Sequence, residues 1–262
     1  MHIKKIILFL LVFYNFNAFA DQTFNGQISS VNSSSYSEVF EKAYIQKNKN
    51  NSLICQFNGV NWQPYSYAFN RFVGKVNYGF ATLDMCMQSV NASNGRVLCQ
   101  WNGVNFQAYT ISTNRPIGKY DYGFAYLNSC NATVIYMRSG FVCQWNGVNY
   151  QPHNARNGTG IGKYDYGYAT IQMCLDSTAN ARNGFVCQWN GANYQPYFRR
   201  NNTAVGMKGY GLITQQLCHQ TTLNSFRRKT CNWNGAGYSL YQMPDNIPVR
   251  GSYRRLDHCL NL

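Results

Sequence analysis

Acidic residues and histidines are scarce in this chain, with nine Asp and Glu and four His among 262 residues. Acid and base catalysis needs ionisable groups brought together, and calcium sites need clustered carboxylates. Outside the first twenty residues the histidines are His153, His219 and His258, each at a different phase of the repeat described below. The motifs G-x-S-x-G, H-E-x-x-H and C-x-x-C are also absent. We therefore predict a protein that is not an enzyme and binds no metal or cofactor.

Long apolar stretches are equally rare. The main one lies in MHIKKIILFLLVFYNFNAFA, residues 1–20, between a short basic start and the A-x-A pattern of Ala18-Phe19-Ala20. This combination is typical of a secretory signal peptide. Because a spanning helix needs about 20 apolar residues, we expect no membrane span. The sequence predicts a signal peptide at 1–20 and a secreted or periplasmic protein.

The chain is instead rich in one repeated phrase. CQFNGVNWQPY at residue 55 returns as CQWNGVNFQAY at 99, CQWNGVNYQPH at 143, CQWNGANYQPY at 187 and the degenerate CNWNGAGYSLY at 231. A fixed 44-residue step is typical of a repeat architecture. We assign a leader with a capping helix to 21–54, repeats to 55–98, 99–142, 143–186 and 187–230, and a degenerate fifth repeat to 231–262.

Ten cysteines in an exported chain indicate a disulfide framework. One scheme joins neighbours across the short spacing, such as Cys86 with Cys99, and leaves Cys55 and Cys259 over. We favour the other, because Lys42 stands where the first would require a cysteine. The favoured scheme staples each repeat internally, as Cys55–Cys86, Cys99–Cys130, Cys143–Cys174, Cys187–Cys218 and Cys231–Cys259.

The Asn-Gly pair within each phrase predicts a β-hairpin with a two-residue type I′ turn. In the first copy Phe57 would then face Val60, and Cys55 would face Trp62. Alternation along the strands places the Cys, Trp and Val positions on one face, which we expect to form the core.

The opposite hairpin face carries amides and an aromatic rim, which suit sugar hydroxyls and sugar rings. The alternative is that the amides bond to one another or to loop backbone. The candidate ligand-binding residues on this face are Gln100, Asn105, Gln107, Tyr109, Gln144, Asn149, Gln151, Gln188, Asn193, Gln195 and Tyr197, with His153 at the same rim position.

A glycine-rich connector follows each hairpin, as GKVNYGFA at 74, GKYDYGFA at 118, GKYDYGYA at 162 and GMKGYGLI at 206. Its paired glycines predict a fixed bend with unusual backbone angles. Loops often carry binding residues, although these tyrosines could instead pack between units. The candidates here are Lys119, Tyr120, Asp121, Lys163, Tyr164 and Asp165.

Apolar residues at helical spacing after each connector predict a short amphipathic helix. One unit is then a hairpin, a Gly-rich loop and a short helix. We predict an α+β repeat protein with five such disulfide-stapled units, while the competing architecture is a five-bladed β-propeller-like ring. Residues 35–47 would form the leading helix that covers the first unit.

The net charge of +14 favours anionic partners. We expect a glycan or anionic polymer, or else a protein partner, and no specific nucleic acid. The leading hypothesis is a secreted, multivalent, lectin-like carbohydrate-binding protein, because weak repeated sites gain avidity on a polymer. The alternative is an exported protein-binding factor (adhesin, inhibitor or effector) that uses the basic C-terminal surface. That surface comprises Arg199, Arg200, Lys208, Arg227, Arg228, Lys229, Arg250, Arg254 and Arg255.

Overall fold

Five antiparallel hairpins follow one another in the computed structural model, which describes residues 53–137, 139–163 and 166–261. Each hairpin contains one copy of the repeated phrase. The strands are β1 (Leu53–Phe57) and β2 (Trp62–Ser66), β4 (Val97–Trp101) and β5 (Phe106–Thr110), β7 (Phe141–Trp145) and β8 (Tyr150–Asn154), β9 (Phe185–Trp189) and β10 (Tyr194–Phe198), and β12 (Lys229–Trp233) and β13 (Tyr238–Gln242).

A further strand joins four of the five hairpins. These strands are β3 (Arg71–Phe72), β6 (Arg115–Pro116), β11 (Thr203–Ala204) and β14 (Ile247–Tyr253). In the third unit a single bridge between His153 and Gly160 takes this place. The described residues therefore form separate sheets of two or three strands, with no closed barrel and no four-stranded propeller blade.

The hairpins close through four residues, and the predicted two-residue turn is wrong. Phe57 pairs with Trp62 rather than with Val60, so the first loop covers 58–61. The register differs from the prediction by two residues, and the strand side chains therefore keep their predicted faces. Val60 leaves the predicted core for the hairpin tip, where 71% of it is exposed.

The first asparagine of the phrase determines this longer loop. Asn58 accepts hydrogen bonds at its Oδ1 from the backbone N–H groups of Val60 and Asn61, at 3.0 and 2.9 Å. Its own backbone N–H donates to the Asn61 carbonyl at 2.9 Å. An asparagine side chain that bonds to backbone N–H groups ahead of it stabilises a turn of its own kind, here in preference to the type I′ turn.

Helices follow the connectors as predicted: α1 (Leu83–Ala92), α2 (Leu127–Ile135), α3 (Ile171–Ala179), α4 (Gln215–Leu223) and α5 (Leu256–Leu260). In α1, α3 and α4 a threonine N-cap accepts a hydrogen bond from a first-turn N–H, such as Thr82 from Met85 at 3.3 Å. Such caps satisfy backbone donors that a helix leaves open at its start.

Five disulfides join each helix to the first strand of its own hairpin. The pairs are Cys55–Cys86, Cys99–Cys130, Cys143–Cys174, Cys187–Cys218 and Cys231–Cys259. The internal pairing scheme is confirmed. Disulfides of this number fit an oxidising compartment.

Neighbouring units share their cores. Helix α1 packs against its own hairpin and also against β4 of the next unit. At the end of the first connector Phe80 stacks on Phe106 of the next hairpin, with ring centroids 6.2 Å apart. The contact recurs between Phe124 and Tyr150 and between Tyr168 and Tyr194. Each unit thus completes the apolar core of its neighbour.

An asparagine after the second strand clamps a unit to the one before it. Asn114 accepts from the Gly74 N–H at 2.6 Å and donates through Nδ2 to the Gly74 carbonyl at 3.2 Å. The same pair of bonds joins Asn202 to Gly162 and Asn246 to Gly206. These three asparagines have φ of 55°, in the left-handed region that Asn tolerates better than most residues.

The predicted signal peptide, the leader as far as residue 52 and the capping helix at 35–47 fall outside the described residues, whereas Leu53 and Ile54 at the end of the predicted leader form the start of β1.

Candidate functional site

The glutamines predicted to bind a ligand lie inside the protein. Those on the second strands, Gln107, Gln151 and Gln195, are at most 1% exposed. Each donates through Nε2 to two backbone carbonyls of its own connector, as Gln107 does to Ile117 and Lys119 at 3.2 and 2.8 Å. Their amides hold the connector against the hairpin.

The glutamines on the first strands hold the connector of the preceding unit. Gln100, Gln144 and Gln188 are 0% exposed, and their Nε2 groups donate to the carbonyls of Tyr78, Tyr122 and Tyr166 respectively. A ligand outside the protein cannot reach these atoms. The glutamine amides therefore bond to loop backbone, which was the alternative to ligand binding. The six glutamines are no longer candidates for a binding surface.

The second asparagine of each phrase also supports the connector. Asn105 and Asn193 donate through Nδ2 to the carbonyls of Asp121 and Gly209, at 2.7 and 2.9 Å. Asn149 accepts a bond at its Oδ1 from Asn146 Nδ2 at 2.8 Å. These three amides are only partly exposed and act within the fold.

The predicted aromatic rim is buried as well. Tyr109, His153 and Tyr197 are 1%, 3% and 7% exposed. Burial raises the pKa of the Tyr109 and Tyr197 hydroxyls and lowers the pKa of His153 to about 4. The rim positions thus belong to the core and offer no ring for a sugar to stack on.

His153 also accounts for a local departure from the asparagine clamp. The third unit has Gly158 at the clamp position, and its carbonyl accepts from the Gly118 N–H at 3.4 Å. The Nδ1 atom of His153 lies 3.1 Å from the same carbonyl. The histidine therefore supports a backbone bond that replaces the missing asparagine.

The connector candidates, by contrast, reach the surface. Lys119, Tyr120, Asp121 and Lys163 are exposed. Tyr164 and Asp165 lie outside the described residues. We call the exposed and half-buried connector positions the connector stripe, which comprises residues 75–78, 119–122, 163, 166 and 207–210.

Lysine ammonium groups lie over tyrosine rings along the connector stripe. Lys75, Lys119 and Lys163 are 4.6, 4.5 and 4.5 Å from the ring centroids of Tyr78, Tyr122 and Tyr166, within cation–π range. The recurrence of nearly one distance in three units means that the fold presents the same Lys-Tyr pair repeatedly.

At the first junction the Lys-Tyr pair extends across units. Lys75 Nζ lies 5.1 Å from the ring of Tyr120 and 3.6 Å from Asp121 Oδ1, both in the next connector. Partial desolvation opposes the charge on Lys75, but the Tyr120 hydroxyl and Asp121 outweigh it, so the pKa of the ammonium is raised. A cation, a carboxylate and a ring that is 49% exposed therefore converge at this junction.

The other tyrosine of each connector packs on the next hairpin tip. A Cβ built on Gly147 would lie 2.3 Å from Cε1 of Tyr122, and Gly103 and Gly191 meet Tyr78 and Tyr166 in the same way. The two expectations for the connector tyrosines therefore apply to different residues. Tyr122 packs between units, whereas Tyr120 is exposed.

A second polar surface, which sequence reasoning did not assemble, is a cleft of about 1170 Å³. It brings Arg96 and Arg156 beside three arginines of the basic C-terminal surface, Arg199, Arg200 and Arg228. The sequence does not show this cleft, because the five arginines are far apart along the chain. They come together because each lies in a turn at the same end of the hairpins, which is known only once the strand register is known.

Across the described residues no group of three His, Cys, Asp or Glu side chains is placed to hold a metal ion. None of the helices in that part of the chain has the length and apolar character to cross a membrane. Comparison with protein-family models, curated proteins and solved structures finds no match. A function is therefore inferred from the connector stripe and the arginine-lined cleft.

Proposed function

We propose that this is a secreted, multivalent carbohydrate-binding protein that uses the connector stripe. The observation that carries the proposal is the convergence of Lys75 with the exposed Tyr120 ring at 5.1 Å and with Asp121 at 3.6 Å, on connectors that repeat a Lys-Tyr pair in three successive units. Secretion agrees with the five disulfides and with the signal-like residues 1–20. The proposal includes no catalytic step, metal or cofactor.

Chemistry at the first junction suits a saccharide. The exposed ring of Tyr120 offers an apolar face to the C–H side of a sugar ring, and its hydroxyl can exchange hydrogen bonds. Lys75 can donate to sugar hydroxyls and Asp121 can accept from them. Because the connector is held by buried amides, these groups are ordered before the ligand arrives, which reduces the entropy cost of binding.

Repetition gives such shallow sites their use. A single ring and two polar groups bind weakly, but a polymer that spans several units converts later contacts into intramolecular ones. The sequence GKYDYG repeats at 118 and 162, so the same residue types recur at the next junction. We expect the affinity to rise steeply with the length of the saccharide.

The test is binding of the oxidised protein to a broad glycan array at low and high salt, followed by titration with the best oligosaccharide. Tyr120→Ala should weaken binding about three- to tenfold, since one aromatic contact contributes about 0.5–1.5 kcal/mol. Tyr136→Ala is the matched control, because Tyr136 is also 49% exposed but lies at the end of α2. Equal losses in both variants, or no glycan binding at all, would refute the proposal.

A protein partner is the second candidate, favoured by exposed valines at the hairpin tips. Val60, Val104 and Val148 are 71%, 64% and 67% exposed at equivalent positions. Exposed apolar groups that line up on one edge are typical of interaction surfaces. A triple change of these valines to serine should leave glycan binding intact and abolish capture of a protein partner, measured by cross-linking in the culture medium.

A further inference from the structure

The arginine cleft lies among turns from the first to the fourth repeat, between Arg96 and Arg228, apart from the connector stripe. Its walls come from the turns that follow the second strand of a hairpin and from those that join a helix to the next strand. No Asp or Glu is among the residues that line it, whereas five arginines are: Arg96, Arg156, Arg199, Arg200 and Arg228. The cleft is therefore strongly positive.

Four of these five guanidinium groups do not stabilise the described part of the fold through a hydrogen bond or ion pair. Arg96, Arg156, Arg200 and Arg228 are exposed, and none of their side chains forms a hydrogen bond or ion pair with another described residue. Over the described part of the chain the ion pairs are Lys75–Asp121 and Arg255–Asp257, both away from the cleft lining. The charges of the four arginines are therefore not compensated by an ion pair within the described residues.

Arg199 differs from the other four and marks the floor of the cleft. It donates to the Ser139 carbonyl at 3.1 Å, and its guanidinium carbon lies 5.5 Å from the centroid of the Phe141 ring. Gly140 passes so close that a Cβ there would lie 2.5 Å from Nη1 of Arg199. This arginine positions the loop around 140, so its removal would report on folding rather than on ligand binding.

The turn that carries Arg228 is strained. Arg227 and Arg228 have φ of 45° and 64°, in the left-handed region that is unfavourable for side chains other than Asn, Asp and Gly. The preceding unit builds the same two-residue turn from Asn183 and Gly184, with φ of 52° and 86°.

The two turns match in their hydrogen bonds. Phe226 and Lys229 exchange backbone bonds at 3.0 and 2.7 Å, as Arg182 and Phe185 do at 3.2 and 2.9 Å. The chain thus places two arginines where Asn-Gly forms this turn without strain. Arg227 lies over the Phe226 ring at 4.9 Å, but no described residue forms a hydrogen bond or ion pair with the Arg228 guanidinium, so the strain points to a role in function.

Other groups in the cleft narrow the class of ligand. The exposed hydroxyl of Ser112 and amide of Asn157 stand among the arginines and can bond to sugar hydroxyls. The one aromatic residue in the lining is Phe198, which is 4% exposed. Single-stranded nucleic acids are bound largely by stacking of bases on exposed rings, and the cleft offers none.

From these observations we infer that the cleft binds an acidic polysaccharide, with Arg96, Arg156, Arg200 and Arg228 contacting its sulfate or carboxylate groups. Guanidinium groups form paired hydrogen bonds with such oxyanions. The cleft volume of about 1170 Å³ leaves room for several sugar residues of a polymer segment, and Ser112 and Asn157 contact the neutral hydroxyls between the charges. This inference does not rest on the proposed function, because the two sites use different loops.

The test is the affinity of the oxidised protein for a heparin-derived decasaccharide and a decamer of polygalacturonate, measured by calorimetry at two salt concentrations. The key variant combines Arg227→Asn with Arg228→Gly and so reproduces the turn of the preceding unit. We expect at least a tenfold loss of affinity for the probe that binds, together with an unchanged or higher Tm. A variant with Arg156→Gln and Arg200→Gln, which leaves that turn intact, should show a similar loss.

The matched control combines Arg254→Gln with Arg255→Gln, which removes two positive charges at exposed positions outside both the cleft lining and the connector stripe. It should change the affinity less than twofold, and Tyr120→Ala should also leave binding in the cleft unchanged. Equal losses in control and cleft variants would mean a diffuse charge effect and overturn the inference. So would absence of binding to both probes, or tighter binding of a single-stranded oligonucleotide.

Discussion

Replacing Gly147 by alanine should destabilise the protein more than the same change at Gly59. Both glycines occupy the same position in a hairpin loop, with φ of 101° and 98°, so the backbone cost of alanine is shared and is about 1–2 kcal/mol. At Gly59 the added Cβ meets nothing within 4 Å, whereas at Gly147 it would lie 2.3 Å from Cε1 of Tyr122. Overpacking adds about 1–3 kcal/mol, so the total loss at Gly147 should be about 2–5 kcal/mol.

Urea unfolding of the oxidised protein, followed by tryptophan fluorescence, measures both losses from the midpoint at constant m-value. Tyr122→Ala completes a double-mutant cycle. Without the ring, Gly147→Ala should cost only the backbone share, so the two changes should not be additive. Equal losses at Gly59 and Gly147, or strict additivity with Tyr122→Ala, would show that the Tyr122 ring does not restrict the space beside Gly147.

Three further outcomes are expected. Asn202→Ala should lower the free energy of unfolding by about 2–4 kcal/mol, because it removes both bonds to Gly162 and the tolerance for a left-handed backbone, whereas Asn202→Gly should lose only the bonding share of about 1–2 kcal/mol in the same urea assay. Burial lowers the pKa of His153 to about 4, so the folded state binds its proton less readily than the unfolded chain. Stability should be full above pH ~6.5 and fall by up to about 3 kcal/mol as the pH drops toward 4, and His153→Gln should flatten this part of the pH profile. Changing Cys143 and Cys174 together to alanine should cost about 4 kcal/mol, seen as a lower Tm by calorimetry, since their disulfide closes a loop with a sequence separation of 31.

The disulfides and the order of elements could be predicted because both follow from the 44-residue period. One cysteine in the first strand of each hairpin and one in each helix leave few ways to pair when every unit must look alike. The hairpin register could not be predicted from Asn-Gly alone. That pair is compatible with a two-residue turn. The choice depends on the bonds that Asn58 accepts from the Val60 and Asn61 N–H groups and the one it donates to Gln63 Oε1, which exist only once the loop is folded.

Burial of the amide face shows a different limit of sequence patterns. A polar face on a hairpin ordinarily predicts exposure, since alternation separates core from solvent. Here the connector folds back over that face, and its carbonyls find their donors in the glutamines, as Ile117 and Lys119 do in Gln107. The binding candidates on the hairpins therefore stabilise the fold internally, whereas the described candidates on the connector are exposed.

Departures from the repeat are of two kinds, and the difference separates structure from function. In the third unit Gly158 replaces the clamp asparagine, and the nearby His153 compensates, with Nδ1 3.1 Å from the Gly158 carbonyl. At the end of the fourth repeat, just before the fifth hairpin, Arg227 and Arg228 replace an Asn-Gly turn and keep its unfavourable backbone angles. No described residue compensates for the charge of Arg228. A departure with a local partner is explained by stability alone, whereas one that adds both strain and charge without such a partner indicates a role in function, which the proposed binding of an acidic polysaccharide in the arginine cleft would provide.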